Sequence, residues 1–581
     1  MNFDPKMTKN EHVKQAKDGL DVWNDIHRYA KEGFAAIEPD DFARMRWFGI
    51  YQQKPNDGHF MWRIRISGGR LKPWQLKEIA QVSRDYGHGF GDVTTRQCIQ
   101  LHWMTIENFP DALDRIGNKA GLYTQFACGD TPRNVCSCPM AGLLKNEYVA
   151  IGNLPKELAD MFKAAGKDLS NLPRKFKTTI SGCPLHCNQP QINDVSAFGV
   201  RRIVDGQVQK GVGILVGGGL SSTPHFGQSL RVFVPEDKMA EQIPAIWRGM
   251  CELFRDSDEL RYKRIRARLK FLVADKGWEW IRDELERRIG FTLEHDENIV
   301  YPRGALHTDH VGIGEQNNGR FYVGIPIERG RWTADQMTAV AELTERFGTN
   351  EESEIRLSQK QNVIITDVPE ANVAALVKEL QSVGLNPEAP LWRQNLISCT
   401  GTQFCNLAVT ETKQRAFDLL KYLEETTQID SPIMLSMSGC PNSCAQYQVA
   451  DIGLTGTKSQ WQGEKVDAFD LCVGGRFGEN PEFVRPLFDK VPAPILHRQI
   501  QQVVNAYLDH RVNPDTDDDA ETFRDFIDRI ELDQLRQWSA IPEWTPAPPK
   551  AKRVPPKPAS TADAAVAVAA GDTVADPATG G

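Results

Sequence analysis

Cys399 and Cys405 are separated by five residues, and Cys440 and Cys444 by three, in the segment Cys440-Pro441-Asn442-Ser443-Cys444. Four convergent thiolates are what a [4Fe–4S] cluster requires. Zinc prefers ligand pairs two to four residues apart, so Cys-x5-Cys suits it poorly. A disulfide framework is the other alternative, but 12 cysteines in 581 residues fall far below the density of a disulfide scaffold, and no apolar signal segment follows Met1. Pro441 suits the first turn of a helix. If Cys440 caps that helix, Cys444 lies one turn on, on the same face.

A second group of residues is cationic. Lys175 and Lys177 flank Phe176 and precede Thr178-Thr179-Ile180. A strand here points both ammonium groups to one side, where a bound anion relieves their repulsion. Arg63 and Arg65 alternate within an apolar run and Arg96 opens another, and cations in such places need anionic partners. The solvated-surface reading stays open for any single arginine.

The elements that must position these groups occur twice. Ser181-Gly182-Cys183-Pro184-Leu185-His186-Cys187 mirrors Ser438-Gly439-Cys440-Pro441-Asn442-Ser443-Cys444, and Gln191–Val195 mirrors Gln448–Ile452. Gly217-Gly218-Gly219 parallels Gly474-Gly475-Arg476, Met61–Ile66 parallels Arg320–Ile325, and Thr94–Cys98 parallels Ser358–Asn362. A period of roughly 260 residues is far longer than a solenoid repeat and indicates a duplicated domain pair about a pseudo-twofold axis.

With these motifs, and with Arg133-Asn134-Val135 and Leu172–Lys177, the chain resembles the ferredoxin-dependent assimilatory sulfite and nitrite reductases over nearly all of residues 10–540. The resemblance implies sirohaem and a [4Fe–4S] cluster as cofactors, with Cys444 bridging the two. It implies that Arg63, Arg133, Lys175 and Lys177 bind the substrate anion. Sirohaem carries eight carboxylates, for which Arg65, Thr94, Arg96, Gln97, Asn134, Gly217, Gly218, Gly219, Gln361, Asn362, Arg393 and Arg476 are the candidate partners. The expected reaction is six-electron reduction of sulfite to sulfide with electrons from reduced ferredoxin. Nitrite to ammonia is the alternative, and an iron–sulfur electron-transfer protein is the non-enzyme reading. Sulfite-reducing members of the family tend to carry Lys at the position of Lys177 and many nitrite enzymes Asn. An extra cation also suits a dianion better than a monoanion.

The resemblance and the hydrophobic pattern together imply a mixed α/β, α+β fold: duplicated ferredoxin-like half-domains sharing a sheet, plus two larger α/β domains. The expected divisions are a helical segment at 1–45 (Val22, Ile26, Tyr29 and Ala30 on one face), half-domains at 46–116 and 318–390, α/β domains at 117–255 and 391–544, and a helical linker at 256–317. The Pro- and Ala-rich tail at 545–581 cannot bury a core. A net charge of −8 argues against a nucleic-acid binder, and no apolar run is long enough to span a membrane. A cytoplasmic monomer is expected. No clean Gly-x-Gly-x-x-Gly is present, so electrons must come from another protein. Cys128, Cys136, Cys138, Cys183 and Cys187 leave two readings: inherited buried thiols or a second cluster. His307 and His310 are expected to belong to a loop rather than a metal site.

Overall fold

The computed structural model describes residues 4–185, 187–301, 309–349, 352–513, 520–542 and 544. His307 and the 545–581 tail lie outside them. Near the N-terminus, helix Val22–Glu32 turns Val22, Ile26 and Tyr29 fully inward, while Ala30 is half-buried.

The first half-domain contains β1 (Ile50–Gln52), β2 (Phe60–Ile64), β3 (Arg70–Leu71), β4 (Phe90–Val93) and β5 (Ile99–Met104), with helix Pro73–Tyr86 between β3 and β4. The first α/β domain contains β6 (Pro132–Ser137), β7 (Phe176–Ile180), β8 (Val195–Val204), β9 (Gln207–Val216), β10 (Gln228–Pro235) and β11 (Glu294–His295). The second half-domain follows with β12 (Gly312–Glu315), β13 (Phe321–Ile325), β14 (Arg331–Thr333), β15 (Ile355–Leu357) and β16 (Val363–Val368). The second α/β domain has β17 (Leu396–Ser398), β18 (Leu435–Ser438), β19 (Ile452–Trp461), β20 (Glu464–Val473) and β21 (Arg485–Pro492). Both α/β sheets begin with parallel strands, β6-β7-β8 and β17-β18-β19, and continue as long antiparallel hairpins.

The half-domains share strands by exchange rather than by merging into one continuous sheet. Their sheets run β1-β2-β5-β4-β14 and β12-β13-β16-β15-β3, so each receives its edge strand from the other half. Gly69 and Gly330 make this possible. Both have positive φ (72° and 68°), and a Cβ on Gly69 would sit 2.6 Å from the Leu357 carbonyl, one on Gly330 2.8 Å from Gln361 Nε2. Only glycine permits both the turn and the close approach.

The 256–317 segment is not a helical linker. Glu294–His295 completes the first α/β sheet and Gly312–Glu315 edges the second half-domain. Its charged helical stretch is broken into 3-10 turns and two helices, Leu269–Lys276 and Trp278–Ile289, divided at Gly277 with φ 85°. Among the described residues no helix is long and apolar enough to cross a membrane.

Candidate active site at the junction of the two halves

The two α/β domains meet along the pseudo-twofold axis. Phe226 and Phe483 stack face to face with centroids 3.9 Å apart and planes within 3°. Gln189 and Gln446, 257 residues apart, exchange side-chain hydrogen bonds of 2.6 and 2.5 Å. Gln191 pairs with both backbone groups of Gly478, as Gln448 does with Ser221. Beside this seam lies a cleft whose lining includes Arg96, Lys177, Asn188, Gln359, Ser443 and Cys444.

The cysteines come from the second α/β domain. Cys399 directly follows β17, Cys405 follows the 3-10 turn Gly401–Gln403, and Cys440 and Cys444 lie in the loop after β18. That loop is not the helix anticipated from Pro441. Ser443 and Gln446 have φ of 56° and 61°, which a helix cannot accommodate, and the Ser438 hydroxyl instead accepts the Ala445 N–H. Gly439 N–H donates to Cys399 Sγ at 3.1 Å. Burial pushes the Cys399 thiol up to about 11, with the neighbouring Cys444 adding to it; Cys405 and Cys440 are raised by burial and also feel Cys444. Cys444 itself is exposed, and Cys399, Cys405, Cys440 and Cys444 are free thiols. Among the described residues no three His, Cys, Asp or Glu side chains converge on a single ion. A zinc site needs such convergence; a cubane several ångströms across does not.

The cations come from the first half. Phe176 is buried, and Lys175 and Lys177 keep partial access on the other side of the strand. Desolvation pushes the Lys175 ammonium down to about 7, with Arg268 and Arg133 adding to the effect. Desolvation also lowers Lys177 well below its ordinary value, followed by Lys175 and Arg96. Arg63 lies over the Tyr51 ring at 5.3 Å and is lowered by desolvation; Arg133 adds to this, while Cys98 and Cys444 oppose it. Arg133 donates to the Gly129 carbonyl at 2.7 Å. Arg65, 1% exposed, is lowered to about 10 by desolvation. Arg96 bridges Asn193 Oδ1, the Asn134 carbonyl and the Thr178 carbonyl, at 2.8, 2.6 and 3.1 Å.

Cys444 is thus the one candidate ligand that faces these cations: its thiol acts on both Arg63 and Lys175, and its carbonyl accepts the Thr95 hydroxyl at 3.1 Å. The residues suit a large anionic group. Buried Nε and Nη2 of Arg65, Nε of Arg96 and Nε of Arg133 have no protein acceptor, and unmatched donors gathered with unmatched positive charge call for an anion.

Several other sequence candidates have structural work instead. Gln97 and Gln361 perform equivalent tasks across the axis: Gln97 accepts from Ser137 N–H and donates to the Leu357 carbonyl, Gln361 accepts from Ser398 N–H and donates to the Val93 carbonyl. Asn362 joins Asp309 to Ile327 N–H, and the Thr94 hydroxyl closes its own turn on Arg96 and Cys98 N–H. Asn134 Nδ2 holds the carbonyls of Ile66 and Arg96, although its Oδ1 is buried without a partner. Gly217 and Gly219 donate their N–H groups to Asp194 and His225, and a Cβ on Gly218 would meet the Gln191 carbonyl at 2.5 Å. Arg393 is not brought to the cleft with an open guanidinium: Glu424 binds it at 2.7 and 3.0 Å. Arg476 is likewise held by Asp528 and Glu482.

The pair the sequence reading missed is Asp194–Arg268. Asp194 is fully buried, accepts the Lys177 N–H at 2.8 Å and is clamped by Arg268 at 2.8 and 2.9 Å. The second half repeats it: Asp451 accepts Met434 N–H and pairs with Arg524. An acid kept in both copies of the repeat was the available signal.

The deciding comparison is with family models. The nitrite and sulphite reductase 4Fe-4S domain matches residues 128–293 and 393–545, and the nitrite/sulfite reductase ferredoxin-like half domain matches 51–119 and 314–383. The chain belongs to the nitrite and sulfite reductase family. Its two kinds of domain alternate along the chain as that family's do, and it is an oxidoreductase. It is 36% identical to an assimilatory ferredoxin-dependent nitrite reductase of Haloferax mediterranei, covering 91% of this chain and 93% of the relative. It is 35% identical to a ferredoxin sulfite reductase of Mycobacterium tuberculosis, covering 91% and 96%. The solved structure of Mycobacterium tuberculosis NirA superposes with a TM-score of 0.81 at 34% identity, over 91% of this chain and 98% of that one. Relatives that carry the nitrite and sulfite names therefore stand at nearly the same identity.

Proposed function

We propose that the chain is a ferredoxin-dependent sulfite reductase that uses sirohaem and a [4Fe–4S] cluster. Cys399, Cys405, Cys440 and Cys444 would hold the cluster in this reading, and Cys444 would couple it to the haem. The supporting observation is the exposed Cys444 thiol set against a cationic wall from the other half, with buried guanidinium donors that have no protein acceptor. Sirohaem and the cluster would supply the electrons for reduction at this site. Arg65 and Arg96 would hold its carboxylates.

The protein's own groups then perform two tasks. Arg63, Arg133, Lys175 and Lys177 orient the anion and balance its charge as bonds to oxygen break. Lys175, an ammonium held among other cations and kept charged by the anions it would face, suits the general acid that protonates departing oxygen. Sulfite is preferred over nitrite because Lys177, with Arg96, gives the cleft wall a second layer of positive charge, which favours a dianion. Electrons enter from reduced ferredoxin in this reading, as the relatives' names say of those proteins.

The substrate is tested with Lys177→Asn. Loss of one charge-assisted contact costs about 1.5–3 kcal/mol, so kcat/KM for sulfite should drop by about 10- to 100-fold. Nitrite should lose less. Parallel assays with reduced ferredoxin read the ratio; an unchanged ratio removes the charge argument for sulfite and favours neither anion.

A further inference from the structure

The first half repeats the strand ends and the Cys-x3-Cys segment that carry the thiols of the second. Parallel pairing places Ser137 opposite Ile180 at the ends of β6 and β7, and Ser398 opposite Met437 at the ends of β17 and β18. Cys138 therefore leaves its sheet where Cys399 leaves the other. The strap that follows crosses the same glycine in both halves: Val149 N–H donates to the Gly182 carbonyl, and Val409 N–H to the Gly439 carbonyl. Cys183 and Cys187 then stand where Cys440 and Cys444 stand. Only the place of Cys405 differs, and it falls near Leu144 on the strap.

The same strap carries Glu147. One of its carboxylate oxygens accepts the Gly142 N–H at 2.6 Å, while Oε1 is buried with no hydrogen-bond partner. The carboxylate lies near enough to act on Cys183, and Cys187 and Cys183 both act on Cys138. Three thiols and a carboxylate with one unpartnered oxygen thus lie near one another, Cys138 and Cys183 buried and Cys187 and Glu147 partly so. Buried thiols kept only as small hydrophobes would not need that carboxylate, whose isolation is costly. Cations stand around the group: half-buried Lys360 acts on Cys187, and Arg356 acts on Glu147 while holding the Pro139 and Ala141 carbonyls at 3.1 and 2.9 Å, just beyond Cys138. His310 Nε2 lies 3.7 Å from Cys187 Sγ.

We propose that the N-terminal half binds a second iron–sulfur cluster of the [4Fe–4S] type, ligated by Cys138, Cys183 and Cys187 and by the Glu147 carboxylate in place of a fourth cysteine. A single zinc ion is the poorer occupant, because among the described residues these side chains do not converge on one point; neither do those of the C-terminal quartet.

The proposal goes beyond the sirohaem reading and is tested apart from it. Protein is purified anaerobically from iron- and sirohaem-replete cells, and acid-labile sulfide, iron, zinc and haem are measured per chain. Two clusters give about eight sulfides, and about nine irons when the haem is full. About four sulfides, with or without one zinc, overturns the second cluster. Sulfide is blind to haem iron, so a failure of sirohaem binding shows separately, in the visible bands. Glu147→Ala leaves the three thiolates in place. It should shed about one iron and give, on oxidation, the electron paramagnetic resonance signal of a three-iron cluster. Cys183→Ser should halve the sulfide while the haem bands remain. An unchanged iron and sulfide content in both variants overturns the assignment even if the wild-type count is high.

Discussion

Lys175 and Lys177 show how a cofactor-binding chain stores unfavourable charge. Each ammonium is desolvated among other cations; Cys444 opposes this at Lys175, and Asp194, already committed to Arg268, opposes it at Lys177. In cofactor-free protein the sign of the consequence is fixed. The folded lysines titrate far below the unfolded value of about 10.4, so above pH 7 the unfolded chain binds more protons, and stability rises with pH. Buried thiols act oppositely. Cys136 and Cys183, both pushed to about 11 mainly by burial, stay protonated when folded, whereas unfolded thiols ionise above about 8.5. The melting temperature of apoprotein should therefore climb between pH 7 and 8 and level off or fall above roughly 8.5. Lys175→Met should flatten the climb, and so should loading with the anionic cofactor, which keeps the ammonium charged in the folded state. A melting temperature that is flat or falls from pH 7 to 8 in apoprotein contradicts this account.

At the level of elements, the exchange of β3 and β14 depends on two side-chain amides. Gln97 links the first half-domain to both the first α/β domain and β15, and Gln361 does the same from the other side. Replacing Gln97 with Leu leaves the Ser137 N–H and the Leu357 carbonyl buried and unmatched, at about 1–3 kcal/mol each. Denaturant titration should show a loss of about 2–5 kcal/mol, and iron per folded chain should stay unchanged, since Gln97 has no donor left for a cofactor. A stable variant that has lost haem would restore Gln97 as a cofactor ligand. This is also where sequence reading ran short. The duplication, the alternation of domain types, the half-domain helix at Pro73–Tyr86 and the opposed faces of Phe176 and the two lysines were legible, because period and spacing are local properties. The exchanged strands are two and three residues long, too short for any periodic signal. Arg393 and Arg476 looked available because their carboxylates lie 31 and 52 residues away, at Glu424 and Asp528. Pro441 suggested a helix that the loop around Ser443 and Gln446 does not form, since nothing in those residue types marks a positive φ.

For the whole molecule, the exchange means that neither half contains a complete half-domain sheet of its own. A piece ending at Tyr301 lacks β14, and with it Trp332, 1% exposed, and Arg331, which holds the buried Asp92 at 2.7 and 3.0 Å. Stranding one member of such a pair costs about 3–5 kcal/mol, and losing a buried tryptophan about as much again. Together these approach the 5–15 kcal/mol that holds a typical domain folded. A piece starting at Asp309 lacks β3, including Arg70, which binds Glu354 at 2.8 and 3.2 Å. It also lacks the Phe226 face on which Phe483 stacks, and every cation opposite Cys444. Neither piece expressed alone should show a cooperative unfolding transition. Co-expressed, the two should copurify one to one, because each supplies the edge strand and the seam the other is missing, and the pair should regain haem bands if the cofactor lies between the halves. A cooperatively folded monomer from either piece alone would mean that strand exchange is dispensable and that each half is an independent domain pair.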